Sequence, residues 1–185
     1  MKKILAIAAM ALLTLTASAQ KLGRVNFTEL YQLAPEADAA RDQINAMQNE
    51  AQETFNSMYE EYQTKVNQYQ QKSASWTAAI KEAKEKELMD IQNRIQDFQQ
   101  SISQELQQKQ AELMNPIMEK AQKAVQDLAK AQGIIAVFDS SSALYFDEAA
   151  VVDLTPAARK ALNIKEGRTL EQLQQELQAA AQQGQ

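Results

Sequence analysis

The feature that most constrains this chain is an apolar repeat of eleven residues in its first half. Two lines of side chains carry the repeat: Ile44, Phe55 and Val66, and Met47, Met58 and Tyr69. Eleven residues in three turns give about 3.67 residues per turn, close to the α-helix, so the apolar stripe stays on one face of a nearly straight helix. Residues 36–73 contain no Gly or Pro and are rich in helix-forming Ala, Gln and Glu. We predict one continuous helix from Pro35 to about Ser73.

A second helix with a matching stripe is predicted from about Thr77 to Gln132. After an initial heptad spacing, its apolar side chains follow the eleven-residue step along two lines: Ile95, Leu106, Ile117 and Leu128, and Ile91, Ile102, Leu113 and Ala124. Only the segment 73–77 interrupts the pattern, and its small polar residues suit a tight reversal. The two helices predict an antiparallel hairpin, a coiled-coil arm over residues 35–116 with its tip near Ser75.

Pro116 is predicted to mark the base of this arm. A proline inside a helix removes a hydrogen bond and kinks the helix, at a cost of about 3 kcal/mol. The first helix should be about 57 Å long at ~1.5 Å per residue, and a return leg of equal length ends close to Pro116. Some apolar residues beyond it have no counterpart on the first helix and are expected to pack against other copies of the chain: Ile117, Ala121, Ala124, Val125 and Leu128.

Short strands from both ends of the chain are predicted to form a small β body. Four apolar runs bounded by turn residues favour strands, at residues 22–27, 134–138, 143–146 and 150–153. Thr155 and Pro156 are expected to start a short helix, with the Thr155 hydroxyl as N-cap and Pro156 in the first helical position. In the tail at 166–185, Leu170, Leu173 and Leu177 suggest one or two amphipathic turns.

These elements predict an α+β chain that is mainly helical, with the hairpin arm joined to an oligomeric β core built from residues 20–34 and 117–165. Four short strands and one small helix bury too little apolar surface for a stable core, and two long helices bury little beyond their seam. Association would supply the missing burial, so we predict a homo-oligomer. Six residues are assigned to its core: Val25, Phe27, Ile135, Val137, Leu144 and Phe146.

Residues 1–19 have the features of a secretory signal peptide. Lys2 and Lys3 form a positive start, an apolar run extends from Ile4 to Leu15, and Ala-Ser-Ala at 17–19 forms a small-residue cleavage site. About a dozen apolar residues are fewer than the ~20 that a membrane-spanning helix needs. We predict cleavage after Ala19 and a mature protein in the periplasm.

The composition argues against an enzyme. The chain has no His and no Cys, so it lacks the usual ligands of zinc and copper and the usual nucleophile-base pairs, and no cofactor or metal is expected. Without Lys2 and Lys3 it has 17 basic and 24 acidic residues, a net charge of −7, which argues against nucleic acid as a partner and leaves contact with a membrane surface open. The mixed charges at 81–87 are expected to form solvated ion pairs on a helix.

The order of these elements resembles the Skp (OmpH-like) family of periplasmic chaperones. The resemblance rests on the signal peptide, the strand segment KLGRVNFTEL, the long hairpin, the segment GIIAVFDSSSALYF and the turn VVDLTPAARKALNIK, and it extends to about Lys165. It implies a homotrimer with a central β body and three arms that enclose unfolded outer-membrane β-barrel proteins without ATP. The chain departs from this family in its acidic charge, since the best-known members are basic, and in its tail at 166–185.

Aromatic residues on the arm are candidates for contact with such a client. Tyr59, Tyr62 and Tyr69 lie on or beside the apolar stripe, and their amphipathic rings suit contact with client segments. Trp76 at the tip either inserts into a client or membrane surface or covers the last layer of the seam. Two functions stay open, a holding chaperone and a periplasmic coiled-coil spacer or scaffold. Only the chaperone would protect an unfolded protein from aggregation.

Overall fold

The computed structural model describes residues 21–183, and the predicted signal peptide lies outside them. The described elements are, in chain order, strand β1 (Lys21–Val25), helices α1 (Phe27–Gln32) and α2 (Pro35–Lys72), a 3-10 turn (Ser73–Ser75), helix α3 (Ala78–Gln132), strands β2 (Ile134–Asp139) and β3 (Val151–Asp153), and helices α4 (Thr155–Ala161) and α5 (Leu170–Gln183). The prediction of a mainly helical chain with a small β body is confirmed.

The described chain divides into two compact units. One, which we call the body unit, contains residues 21–31 and 120–183, and the other, the arm unit, is Gln32–Glu119. Helix α3 contributes residues to both units, and Pro116 lies inside this helix. Its assignment to the base of the arm stays a prediction.

A three-stranded sheet with β1 at its centre organises the body unit. The strand order is β2-β1-β3, and β1 runs parallel to both neighbours. Lys21 pairs with Ile134 but Leu22 pairs with Ala136, so Ile135 is the extra residue of a β-bulge. The free edges of the sheet are therefore β2, with its bulge, and the short strand β3.

Gly23 in the central strand is required by close packing of its neighbour. A Cβ at this position would lie 3.2 Å from Ile134 Cγ2 and 3.3 Å from Val137 Cγ2. The bulge brings these two side chains, three residues apart, to the same side of the sheet. Both side chains then pack over the backbone of Gly23. A larger residue at this position would push these two side chains away.

Strand β1 ends earlier than predicted because Asn26 starts a helix. Its Oδ1 accepts a hydrogen bond of 3.1 Å from the backbone nitrogen of Glu29, and an Asn followed three residues later by Glu is a helix-start pattern. Phe27, predicted in the strand, is instead the first residue of α1, where its ring lies 5.7 Å from that of Tyr31. The sequence prediction was wrong at Phe27, although the pattern was visible in the sequence.

The predicted strand at residues 143–146 is also wrong. Oxygens of Asp139 accept hydrogen bonds from Ser141 and Ser142 in a turn directly after β2, and the described chain then forms neither strand nor helix until Val151. Leu144 is fully exposed, and Tyr145 is 81% exposed. Their composition favours a strand, but a strand forms only where a neighbour pairs with its backbone, and the sheet of the single chain ends at β2 and β3.

Helix α4 begins at Thr155, so the prediction that the Thr155 hydroxyl is its N-cap is wrong. Leu154 occupies the capping position, and Pro156 lies in the first turn. The Thr155 hydroxyl instead accepts a hydrogen bond of 3.0 Å from the backbone nitrogen of Asn26, while Asp153 Oδ1 accepts one of 2.8 Å from the backbone nitrogen of Thr155. Thr155 therefore connects the end of β1 to the start of α4. The two residues are 129 positions apart, so the contact cannot be predicted from the local sequence.

The tail forms a helix, α5, that is longer than the expected turn or two. Thr169 and Gln172 cap its start reciprocally, since each side-chain oxygen accepts a hydrogen bond of 3.2 Å from the other residue's backbone nitrogen. Leu173 is only 4% exposed, but Leu177 one turn later is 44% exposed. Residues 174–180 are all exposed, so α5 is anchored mainly through its first turn.

Part of the apolar stretch after Pro116 is already covered within one chain. Ile117, Ala121 and Val125 are 7%, 1% and 8% exposed, so the expectation that they pack against other copies is wrong for these three. Ala121 and Val125 belong to the body unit, whose core also contains the fully buried Leu30. Leu30 lies on α1, a helix absent from the sequence prediction, which adds apolar surface to the single chain.

Helices α2 and α3 lie side by side in the arm unit and run in opposite directions. Side-chain hydrogen bonds join the two helices at Tyr69 and Glu85, Lys65 and Glu87, Tyr62 and Gln92, and Glu61 and Arg94. Partner numbers rise on one helix as they fall on the other. On α2 the repeat positions from Ile44 to Tyr69 are half-buried, while most residues between them are exposed, so the eleven-residue repeat forms the seam.

Short-range hydrogen bonds close the reversal between α2 and α3. Ser75 Oγ donates one of 2.8 Å to the carbonyl oxygen of Lys72. Thr77 Oγ1 accepts one of 3.4 Å from the backbone nitrogen of Ile80 and so caps α3. The tip of the arm unit is a defined turn at the predicted position.

Candidate functional site

The seam of the arm unit opens into a cavity of about 450 Å³. It is lined by Gln48, Ala51, Gln52 and Phe55 of α2 and by Phe98, Gln99, Ile102 and Leu106 of α3. Ala51 occupies a seam position at which its neighbours carry larger side chains, and it leaves space between the helices. Apolar walls with amide groups at the rim suit an apolar side chain on a polar backbone. The sequence analysis missed this cavity, although the small Ala51 in the stripe was its signal.

The four arm aromatics proposed as contact residues differ in what they offer. Tyr59 is 48% exposed and stacks on Phe55, with 6.2 Å between ring centroids. Tyr62 accepts a hydrogen bond of 2.5 Å from Gln92 Nε2. Trp76 packs edge-on against Tyr69 at 5.7 Å. Of the four, only Tyr59 presents a largely exposed ring, and Trp76 covers the end of the seam.

A charged network crosses the seam near the tip. Lys65 of α2 and Lys84 of α3 both donate hydrogen bonds to the carboxylate of Glu87, and these bonds lower the pKa of Glu87 to about 2. The bond to Glu87 also raises the pKa of Lys65. The Tyr69 hydroxyl donates to Glu85, and this bond raises the pKa of Tyr69. Each charge has a partner on a solvated surface, so the network holds the helices together and presents no poised acid or base.

The body unit has an apolar groove of about 670 Å³ along its edge strand β2. Its lining includes Val25, Phe27, Val125, Ala129 and residues 134–137. Val25 is buried, but Ile135 at the bulge is 61% exposed, and Phe138 is 48% exposed. An exposed strand edge beside apolar side chains is a surface that can accept another strand.

The structure brings four of the six residues assigned to an oligomer core to one groove. Val25, Phe27, Ile135 and Val137 line the groove at β2. Leu144 and Phe146 lie in the loop that follows, where Leu144 is fully exposed and Phe146 is half-buried. Leu144 and Ile135 are the least covered residues of the predicted core.

A second, polar cavity of about 960 Å³ lies in the body unit beside the carboxyl ends of the three strands. Its charged groups largely satisfy one another: Arg24 pairs with Asp153 at 3.1 Å, and Arg159 pairs with Glu29. Arg24 Nε is buried without a hydrogen-bond partner in the described structure. The ion pairs join β1, β3, α1 and α4, and none of them was found by sequence reasoning because each spans more than 120 residues.

Residues 21–183 contain no helix that is long and apolar enough to cross a membrane. Within the same range, no group of three or more carboxylates is arranged to hold a metal ion.

Comparison with known proteins matches both units of the chain. The model of a family described as outer membrane protein (OmpH-like) matches residues 21–162, from β1 to just beyond α4. Chaperone protein Skp of Yersinia enterocolitica is 28% identical over 151 residues, which cover 80% of this chain and 92% of that protein. Chaperone protein Skp of Pectobacterium atrosepticum is 28% identical over 150 residues, covering 78% and 90%.

A solved structure shares the fold. The crystal structure of an OmpH-like protein from Caulobacter crescentus CB15 superposes with a TM-score of 0.66 at 13% identity, and the match covers 79% of this chain and 85% of that one. At this identity the likeness concerns the fold alone.

Proposed function

Because the chain belongs to the OmpH-like outer membrane protein family, we propose that it is a holding chaperone that binds unfolded outer-membrane β-barrel proteins and prevents their aggregation. The family match over residues 21–162 carries this proposal, since it includes both the sheet and the whole hairpin. Two relatives of similar length are named as Skp chaperones. We place the protein in the periplasm, exported by a signal peptide cleaved after Ala19.

Within this function, the body unit is proposed to assemble a homotrimer. The support is physical: β2 is a free edge beside an apolar groove, and Ile135 and Phe138 on it are 61% and 48% exposed in the single chain. Leu144 and Tyr145, which follow β2 in the chain, are also exposed. A second copy that pairs with this edge would cover Ile135 and Phe138.

The arm units of the trimer are proposed to enclose the client without ATP. Many weak contacts suit this task, because the client must be held unfolded and later released. Tyr59 and the seam cavity at Ala51, Phe55 and Phe98 offer the apolar surface for such contacts, with Tyr62, Tyr69 and Trp76 further toward the tip. Release follows when the client folds in the outer membrane, since the folded barrel buries the strand edges that the chaperone shields.

The length of the hairpin also favours a second function, a periplasmic spacer. Helix α2 runs without interruption for 38 residues, or about 57 Å, which would suit a rigid connector. A spacer would hold fixed partners and would not protect unfolded proteins. The two functions are therefore separated by an aggregation experiment.

The deciding experiment dilutes a β-barrel membrane protein from urea into the chain that begins at Gln20 and measures the mass of soluble complexes by light scattering. We expect the mass of three chains plus one client, in the absence of ATP. Filling the seam cavity with Ala51→Phe should weaken client capture several-fold, while Ala83→Phe on the exposed surface of α3 serves as the matched control. A client that precipitates while this protein stays free would reject the chaperone and favour the spacer.

A further inference from the structure

The polar cavity of the body unit is walled in part by residues that the family model does not reach. The model ends at residue 162, whereas Asn163, Ile164, Glu166 and Gly167 line the cavity. The other walls come from the strand ends, the start of α1 and helix α4. The family assignment therefore does not explain this cavity, and its volume of about 960 Å³ is within the range of pockets that bind small ligands.

Four charged side chains form the frame of the cavity without any ligand. Arg24 pairs with Asp153 at 3.1 Å, and Arg159 pairs with Glu29. Arg159 Nη2 also donates hydrogen bonds of 3.0 Å and 2.8 Å to the carbonyl oxygens of residues 165 and 168, which hold the wall that contains Glu166. These four charges are satisfied within the chain, so binding of a charged ligand depends on the other residues of the lining.

Two charged side chains of the lining have no partner within the described chain. Lys160 and Glu166 both line the cavity and both are exposed, and neither side chain forms an ion pair or a hydrogen bond within residues 21–183. Asn26 adds uncommitted donors, because its Oδ1 accepts the hydrogen bond from Glu29 and its amide N–H groups have no acceptor in the same range. The cavity thus offers a cation, an anion and amide donors to a ligand.

Asn163 supplies a further amide from a special backbone position. Its φ is 55°, in the left-handed region, and its backbone nitrogen donates a hydrogen bond of 3.2 Å to the carbonyl oxygen of Lys160 at the end of α4. Glycine is the commonest residue at such a helix end, because it has no Cβ to strain the backbone. The backbone does not need the carboxamide of Asn163, and this group forms no hydrogen bond within the described residues.

We propose that this cavity binds a short peptide whose two ends are free. Lys160 pairs with the terminal carboxylate of the peptide, and Glu166 pairs with its terminal ammonium group. The carboxamides of Asn26 and Asn163 donate hydrogen bonds to the peptide carbonyl groups between these ends. Three extended residues span ~10 Å, so a tripeptide is a suitable probe of the cavity.

The two uncommitted charges favour this ligand over a simple ion. An anion bound at Lys160 would also be repelled by Glu166, and a cation bound at Glu166 would be repelled by Lys160, whereas a peptide with free ends satisfies both side chains. An unfolded protein does not meet this requirement, because its two ends are separated by the whole length of its chain. The site is therefore distinct from the surfaces proposed to hold a client.

Equilibrium dialysis against the chain that begins at Gln20 tests the proposal with trialanine in four forms. The peptide has free ends, an acetylated amino end, an amidated carboxyl end, or both caps, and its methyl side chains restrict the comparison to the ends. We expect the free form to bind with a Kd below about 1 mM. Each single cap should weaken binding roughly fivefold, which is the upper limit for a solvent-exposed ion pair, and both caps together should weaken it more than either alone.

Two charge variants assign the ends of the peptide to their partners. Lys160→Gln should bind the free and amidated forms equally, because the partner of the carboxylate is absent, and should still distinguish the acetylated form. Glu166→Gln should bind the free and acetylated forms equally and still distinguish the amidated form. Lys165→Gln is the matched control, since it removes a charge beside the site from a residue outside the lining, and it should bind all four forms like the parent.

Asn163→Gly tests the carboxamide without disturbing the backbone. Glycine keeps the left-handed conformation at this position, so the variant should unfold at the same Tm as the parent. Loss of the amide should weaken the binding of free trialanine about threefold. Equal affinities of Asn163→Gly and the parent would remove Asn163 from the site.

Three results would overturn the peptide site as a whole. One is the absence of binding of free trialanine up to about 10 mM. Another is equal binding of the free and doubly capped forms, which would indicate general capture of polypeptide by the chaperone surfaces. The third is a cap effect that stays the same in the parent, Lys160→Gln and Glu166→Gln, which would place the peptide ends elsewhere. None of these outcomes decides the chaperone function, which is measured by client solubility.

Discussion

Glu87 is the residue on which the charged contacts across the arm seam converge. Its pKa is lowered to about 2 by the hydrogen bonds from Lys65 and Lys84, so the folded arm is favoured when this carboxylate is charged. The contribution is complete above the unfolded pKa of about 4.5, declines as the pH falls toward 2 and disappears below it. Glu87→Gln should lower the Tm by about 1–3 °C at pH 7 and by only a small fraction of that at pH 2.

Thermal unfolding followed by circular dichroism at both pH values measures this difference. Glu82→Gln is the matched control, because Glu82 lies on the same segment of α3 and forms no ion pair within the described residues. A Tm difference for Glu87→Gln that is as large at pH 2 as at pH 7 would contradict an electrostatic origin and would indicate lost packing.

At the same scale, some single-residue roles could be predicted from the sequence and others could not. The caps at Asn26 and Thr169 join residues only three positions apart, Glu29 and Gln172 respectively, so their patterns are complete within the local sequence. The role of Gly23 depends on two side chains of β2 that approach it only in the folded sheet. Roles that depend on residues nearby in the sequence can be predicted from the sequence. Roles that depend on distant residues become visible only in the folded structure.

Among the elements, α2 and α3 were predictable because an eleven-residue repeat sustained over dozens of residues matches no structure other than a long helix. The strand predicted at 143–146 does not form. A strand of four residues is stable only when neighbouring strands pair with it, and the composition of a segment does not reveal whether such neighbours exist. The candidate site follows the same division. The seam was predicted from periodicity, whereas the cavity beside Ala51 depends on how the two helices face each other.

The tail helix α5 lies beyond the part of the chain that the family model matches, and a single arginine fastens the segment leading to it. Arg159 pairs through Nη1 with Glu29, and its Nη2 donates hydrogen bonds of 3.0 Å and 2.8 Å to the carbonyl oxygens of Lys165 and Arg168. Arg159→Met removes all three contacts and leaves Glu29 without its partner. We expect a loss of about 2 kcal/mol in the stability of the body unit and rapid trypsin cleavage after Lys165 and Arg168.

Limited proteolysis with trypsin, followed by mass spectrometry, measures the rate of cleavage after Lys165 and Arg168. Lys160→Met, at the neighbouring exposed position, is the control and should leave the cleavage rate unchanged. Should Arg159→Met resist trypsin as the parent does, α5 would be held by the burial of Leu173 instead of by the arginine.

For the whole molecule, the open question is what covers the edge of the sheet. Both edge strands are free in the single chain, and Ile135 on β2 is 61% exposed at a bulge. Val137 is a poor probe of an interface, because it packs over Gly23 and a charge there would also disturb the protomer. Ile135→Asp leaves the interior untouched and places a charge on the surface proposed to be covered by a second copy.

In a trimer built on this edge, Ile135→Asp buries three unpaired carboxylates, and each costs several kcal/mol because the charge loses its hydration without gaining a partner. The assembly should therefore dissociate to monomers at micromolar concentration, as measured by light scattering after size-exclusion chromatography, while circular dichroism stays that of the parent. Leu177→Asp, at an exposed leucine on α5, should leave the mass unchanged. A trimer that survives Ile135→Asp would place the interface elsewhere than on β2, because burial of three unpaired carboxylates would strongly disfavour an interface at this edge.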